Sequence, residues 1–175
     1  MNKFFALACG LTLAVSFGST SLFAQTSDKV VDSKSDWSVF VEPSPKRCWI
    51  VSKPTKTVNT RGGKPVVVNR SDIRFFVTFL PGQGVQGEVS FTGGYPFKPD
   101  SKVVMSIGSS KYDFYVDGEY AWPESRAIDN QIRSSMKRGS AATLKAQSAR
   151  GTVTQDTFSL VGFTAALAEA EKRCK

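Results

Sequence analysis

Ile73-Arg74-Phe75-Phe76-Val77-Thr78-Phe79-Leu80 is the stretch on which the fold class turns. With the two-residue period of a strand, one face carries Ile73, Phe75, Val77 and Phe79, and the other Arg74, Phe76, Thr78 and Leu80. A strand that is largely apolar on both faces needs neighbours and cover, so it is expected in the middle of a sheet. Working outward, residues 37–41 alternate around Trp37, Val39 and Val41 until Pro43-Ser44-Pro45, and 48–51 form a second short strand that ends before Pro54. Gly62-Gly63 makes a tight, basic turn over 59–64, and 65–68 are expected to continue as sheet. Further short strands are predicted at 88–91, 102–107, 111–116, 142–146 and 151–160, with Gly108-Ser109-Ser110 as a hairpin connection. Two segments break this rhythm. Ile128, Ile132 and Met136 recur at helical spacing, with Asp129 early, Arg133 and Lys137 late and Gly139 as the stop, which predicts a short helix over 129–138. Residues 163–173, rich in Ala, Leu and Glu, form a closing helix. The expected fold is mainly β: a single-domain β-sandwich or partly open barrel with one short internal helix and a C-terminal helix.

The first residues carry an address. Lys3 precedes an apolar run from Phe4 to Phe17, and small polar residues then lead to Ser21-Leu22-Phe23-Ala24. This is the order of a secretory signal peptide over 1–24, cut between Ala24 and Gln25. The run breaks up at Ser16, Gly18 and Ser19, and no stop-transfer pattern follows, so a retained membrane anchor is disfavoured. Residues 25–35 are polar and aperiodic and read as a flexible lead, leaving one domain over 36–175.

Cleavage removes Cys9 and leaves two of the three cysteines, Cys48 and Cys174, 126 residues apart. In an oxidising compartment two such cysteines pair, whereas a metal or redox role would call for a C-x-x-C or for histidine, and the chain has neither. Loss of Lys3 takes the basic count from 23 to 22 against 15 acidic residues, a formal +7. Export makes nucleic acid an improbable partner for that charge. In an envelope compartment the charge points toward anionic lipid headgroups, lipopolysaccharide or acidic glycans as partners, with a merely soluble basic surface as the competing reading.

Three apparent chemical motifs fail on their context. Gly82-Gln83-Gly84-Val85-Gln86-Gly87 has the dinucleotide-binding G-x-G-x-x-G spacing, but a strand rather than a helix follows it, so no cofactor is assigned. Ser134-Ser135-Met136-Lys137 has S-x-x-K spacing, which would set Lys137 one helical turn from a Ser134 nucleophile in a periplasmic serine/lysine hydrolase. The companion S-D-N and K-T-G elements are missing, and a solvated helix face is the better reading. Asp113, Asp117, Glu119 and Glu124 match no calcium loop and read as surface carboxylates, so no metal is assigned.

Surface chemistry offers more. Tyr95, Phe97 and Trp122 lie at turns and are candidates for an aromatic contact loop, with core packing as the competing reading. Arg133, Lys137, Arg138, Lys145 and Arg150 are candidates for a surface that binds an anionic ligand.

Several blocks together resemble the invasion-associated locus B proteins, small exported envelope proteins of Gram-negative bacteria. They are Asp36-Trp37, Cys48-Trp49-Ile50, Gly94-Tyr95-Pro96-Phe97, Ala121-Trp122, Met136-Lys137-Arg138-Gly139, Arg150-Gly151-Thr152, Asp156-Thr157-Phe158-Ser159-Leu160, Gly162-Phe163 and the terminal Cys174. The resemblance implies a β-rich protein that is periplasmic, outer-membrane associated or secreted, and it supplies no catalytic residues. The functional expectation is a non-enzymatic envelope protein that binds a partner, such as an envelope component, an anionic lipid or glycan, or a host surface protein, or contributes to envelope or host-cell interaction. A structural subunit of an envelope assembly is a further alternative.

Overall fold

The computed structural model describes residues 30–175. The expected signal peptide and the start of the lead lie outside the described residues. Twelve strands form: β1 (Val30–Lys34), β2 (Trp37–Pro43), β3 (Lys46–Ser52), β4 (Lys56–Arg61), β5 (Lys64–Pro65), β6 (Arg74–Leu80), β7 (Val85–Thr92), β8 (Lys102–Ile107), β9 (Ser110–Asp117), β10 (Tyr120–Pro123), β11 (Ala141–Gln147) and β12 (Val153–Ser159). Two α-helices join them, α1 (Arg126–Met136) and α2 (Phe163–Arg173). All strands belong to one antiparallel sheet in the order β1-β2-β3-β6-β7-β10-β9-β8-β11-β12-β4-β5, which does not close. The fold is mainly β, as expected, and of the two architectures anticipated it takes the continuous, partly open one.

The sheet doubles back on itself. Phe158 of β12 meets Phe75 of β6 at 5.6 Å and Phe91 of β7 at 6.1 Å between ring centroids, so the two halves share one core. As expected, β6 is an internal strand, paired with β3 and β7. Its Phe75, Val77 and Phe79 point into the core, and Phe76, Thr78 and Leu80 are only half-buried on the outer face. Full burial of each large apolar side chain stabilises the fold by about 1.5–3 kcal/mol.

Helix α2 closes one side, packing on β1, β2 and β3. Trp37 is wholly buried there, 5.0 Å edge-on from Phe163, with its indole N–H donating to the Ser159 carbonyl at 3.0 Å. Gly162 precedes the helix at φ +87°, and a Cβ at that position would run into the Lys34 carbonyl. Only glycine accepts both that backbone angle and that approach. At the far end of α2, Cys174 is bonded to Cys48 of β3, with Cα atoms 5.7 Å apart.

Four local expectations change. Residues 30–34 of the expected flexible lead form edge strand β1, whose order comes from the β2 ladder and from α2 rather than from any apolar period of its own. The strand expected at 65–68 stops at Pro65, and 66–73 run as an irregular strap with Val67 fully exposed. Residues 56–61, half of which fall in the turn expected over 59–64, form β4 on the ladder of β12. Helix α1 begins three residues earlier than the apolar spacing indicates, because the Ser125 side chain accepts from the Ile128 N–H and caps it.

Candidate functional site

A cavity of about 630 Å³ lies where four separate segments meet. They are the strap between β5 and β6, the Gly93–Pro96 loop after β7, the β9–β10 turn and the β11–β12 turn, and strands β4 and β12 add Arg61 and Thr154 to the lining. Backbone bonds hold them in register. The Ala149 N–H donates to the Pro96 carbonyl at 3.0 Å, the Lys98 N–H to the Gln147 carbonyl at 2.9 Å, and the Ser71 N–H to the Gly94 carbonyl at 3.0 Å. Gly94 sits at φ +71°, and a Cβ there would strike the Ser71 carbonyl, so this glycine lets the strap lie against the loop.

The cavity is built around a buried ion pair. Asp156 faces inward with Thr154 and Phe158 on alternate positions of β12 and is wholly buried. Arg70, reaching in from the strap, meets it with two parallel bonds of 2.8 and 2.6 Å, and its side chain is only 6% exposed. The same guanidinium donates to the Gly93 carbonyl at 2.8 Å and to Asn59 at 3.3 Å, and lies 5.0 Å from the centre of the Tyr95 ring. Tyr95 in turn shares a 2.5 Å hydrogen bond with the Thr154 hydroxyl. Burial pushes the Tyr95 phenol above its ordinary value of 10.0, while the Thr154 bond and Arg70 oppose that shift. Tyr95 is therefore a neutral wall at physiological pH. The ion pair fixes the strap, the loop and β12 to one another, and its charges cancel.

Other charges on the lining are not matched in this way. Arg61 donates to the Thr152 hydroxyl at 2.8 Å and forms no ion pair with a carboxylate among the described residues. The side chains of Arg150, Glu119, Asn69 and Ser71 form no hydrogen bond or ion pair with another described residue.

The candidate residues from the sequence divide sharply. Tyr95 and Arg150 come together in the cavity. Phe97 does not join a contact loop. It is 4% exposed and packs on Phe91 and Tyr95, because its place after Pro96 turns it into the core. Trp122 lies on the outer face of β10, stacked between Tyr115 at 5.7 Å and Tyr120 at 5.8 Å. The five basic residues do not converge. Lys137 and Arg138 follow the last turn of α1, Lys145 points outward from β11, and Arg150 lies beyond the far end of that strand, with the length of β11, about 20 Å, between the end of α1 and Arg150. Arg133 is half-buried, donating to the Gly87 carbonyl and to Asn130, so it fastens α1 to β7 instead of presenting a free cation. No hydrogen bond joins Ser134 to Lys137.

Beside Arg133, the Asp129 carboxylate is buried and accepts from the Val89 N–H at 2.9 Å. Burial raises its pKa above the ordinary 3.8, against the opposing effects of the Val89 bond, Arg133 and Arg126. Glu88 is raised above 4.5 by burial and then by Asp129. A raised carboxyl stabilises the fold most below its unfolded value and loses that contribution as pH rises through its folded value. Melting temperature is therefore expected to fall from pH 4 toward neutrality through these two groups. Asp129→Asn, which keeps the acceptor for Val89, should flatten that slope in a thermal melt series, and an unchanged slope would remove Asp129 as its source.

Sequence reasoning missed Arg70, Asp156 and Arg61. An inward-pointing Asp156 between Thr154 and Phe158 was a visible signal, since a charge on the core face of a strand requires a partner. Nothing in the sequence marked Arg70 as that partner. Among the described residues no cluster of three or more His, Cys, Asp or Glu is placed to hold a metal, and no helix is long and apolar enough to cross a membrane.

No protein-family model and no curated protein matches the chain. Among solved structures it is similar to the crystal structure of invasion associated protein B from Bartonella henselae, with a TM-score of 0.55 over 79% of this chain and 94% of that one, at 15% identity. At that identity the likeness shows a common fold, and the fold implied by the sequence blocks is the one this chain adopts.

Proposed function

We propose that this is an exported, non-enzymatic binding protein of the cell envelope, of the invasion-associated locus B type, and that its ligand site is the cavity beside the Arg70–Asp156 pair. The observation that carries the reading is the convergence of four distant segments on one cavity whose floor is fixed by a buried, bidentate ion pair. Its volume of about 630 Å³ lies within the range of small-molecule sites, roughly 300–1,000 Å³. Three of the blocks behind the family resemblance supply it: Gly94, Tyr95 and Pro96, then Arg150 and Thr152, and Asp156 beneath them. With no histidine in the chain and the Arg70 charge already matched by Asp156, the groups present are suited to recognition rather than to proton transfer. The leader supports an exported location, and the fold supports the kinship.

The test is a cavity-filling variant. Ala149 is exposed on the lining, so Ala149→Trp should obstruct the cavity with little effect on the core. Peptidoglycan fragments, lipopolysaccharide core oligosaccharide and short acidic glycans would be titrated by calorimetry into mature wild-type and variant protein. Binding by the wild type that falls at least tenfold in the variant, at an unchanged melting temperature, is the expected result. Equal binding by both proteins would put the ligand elsewhere.

A further inference from the structure

The cavity's charges define the chemistry of its occupant. Arg70 is neutralised by Asp156, which leaves Arg61 and Arg150 against the single lining carboxylate of Glu119, an excess of one positive charge. Arg61 is already oriented by its 2.8 Å bond to Thr152, and Arg150 stands two residues before Thr152 in the same turn. Both residues line the cavity, Arg61 from the end of β4 and Arg150 from the β11–β12 turn. A guanidinium offers planar, paired donors that fit the oxygens of a carboxylate or phosphate, and one held in place beforehand loses less freedom on binding. Elsewhere on the lining, Asn69, Ser71 and Glu119 present amide, hydroxyl and carboxylate groups that no described residue engages. These are partners for hydroxyl groups, and beside them lies the flat, neutral Tyr95.

We propose that the occupant is a small hydroxylated acid, or the end of a chain made of such units, carrying one carboxylate or phosphate: Arg61 and Arg150 bind the anion, and Asn69, Ser71 and Glu119 bind hydroxyl groups of the body. The inference rests on the cavity being the ligand site. The mature charge of +7, from 22 basic and 15 acidic residues, favours the approach of an anion, and the attraction weakens with salt.

The probes are glucuronate for a carboxylate, glucose 6-phosphate for a phosphate, neutral glucose, and inorganic phosphate alone, each titrated into the mature protein and followed by amide NMR shifts. Glucuronate or glucose 6-phosphate should move the Ser71, Gly94 and Arg150 amides, and which of the two binds more tightly distinguishes carboxylate from phosphate as the preferred anion. Glucose should bind at least tenfold more weakly. Arg61→Gln and Arg150→Gln are at exposed positions and should keep the melting temperature, while each weakens the acid by about tenfold or more, as expected for loss of a charged hydrogen bond. Glucose binding as well as the acids, or acid binding unchanged in the double variant, would overturn the anion assignment. Inorganic phosphate binding as well as glucose 6-phosphate would overturn the assignment of the hydroxylated body. Ala149→Trp separates this inference from the one beneath it: loss of every probe there keeps the cavity as the site, and retention of every probe removes it.

Discussion

Asp156→Ala is expected to destabilise the protein by about 3–5 kcal/mol, the loss typical when one partner of a buried ion pair is removed. The carboxylate is wholly buried and takes two hydrogen bonds from Arg70, whose side chain is 6% exposed. Truncating it leaves a guanidinium in the interior with only the Gly93 carbonyl, Asn59 and the Tyr95 ring for company. The strap must then either keep an uncompensated charge or pull Arg70 out and open the cavity. In a thermal melt this corresponds to a fall of roughly 10 °C or more for a domain of this size. The pair itself is a different matter, because the desolvation of two charges offsets most of their attraction. Arg70→Met combined with Asp156→Leu should therefore recover much of the stability lost in Asp156→Ala, although the strap loses its directional anchor. A single-variant loss below about 1 kcal/mol would show that the pair does not hold the strap.

Breaking the Cys48–Cys174 bond should have an effect of the same order. Loop-closure entropy for a separation of 126 residues gives about 4–5 kcal/mol, and native disulfides in small exported domains contribute about 2–5 kcal/mol. The loss should be local as well as global, because the bond joins the C-terminus of α2 to β3 while Gly162 and Phe163 hold the other end of the helix against β1 and Trp37. Chemical denaturation of Cys48→Ala with Cys174→Ala, compared with the oxidised wild type, measures the stability term. Hydrogen exchange should show α2 losing protection before β6 and β7 do. Equal denaturation midpoints would show that helix packing alone fastens the C-terminus.

Much of the fold was legible in the sequence. The two apolar faces of residues 73–80 placed β6 inside the sheet, and the composition of 163–173 marked α2 with its observed limits, since side-chain period and helix propensity are both local signals. Legibility failed where order comes from a partner rather than from the segment. Strand β4 has mostly exposed side chains and β1 buries none of its residues fully; both are strands because the backbones of β12 and β2 pair with them. The strap of 66–73 carries three valines that suit a strand, yet the chain there runs irregularly and delivers Arg70 to Asp156. Of the basic residues that the sequence singles out, Arg133 is bound to the Gly87 carbonyl, Lys137, Arg138 and Lys145 are exposed away from the cavity, and Arg150 lines it together with Arg61, which lies in the segment expected to be a turn.

By itself, the sequence determined the β-rich class, the internal position of β6, the closing helix and the pairing of Cys48 with Cys174, because side-chain period, helix propensity and a count of cysteines are properties of the chain before it folds. Only the tertiary structure decided that Arg70 neutralises Asp156, that Arg133 is bound to the Gly87 carbonyl, and that Arg61 and Arg150 face the same cavity. Whether a charge is free for a ligand depends on which opposite charge or carbonyl lies within about 4 Å of it. Residues 86 positions apart in the chain, as Arg70 and Asp156 are, meet only through the curl of the sheet.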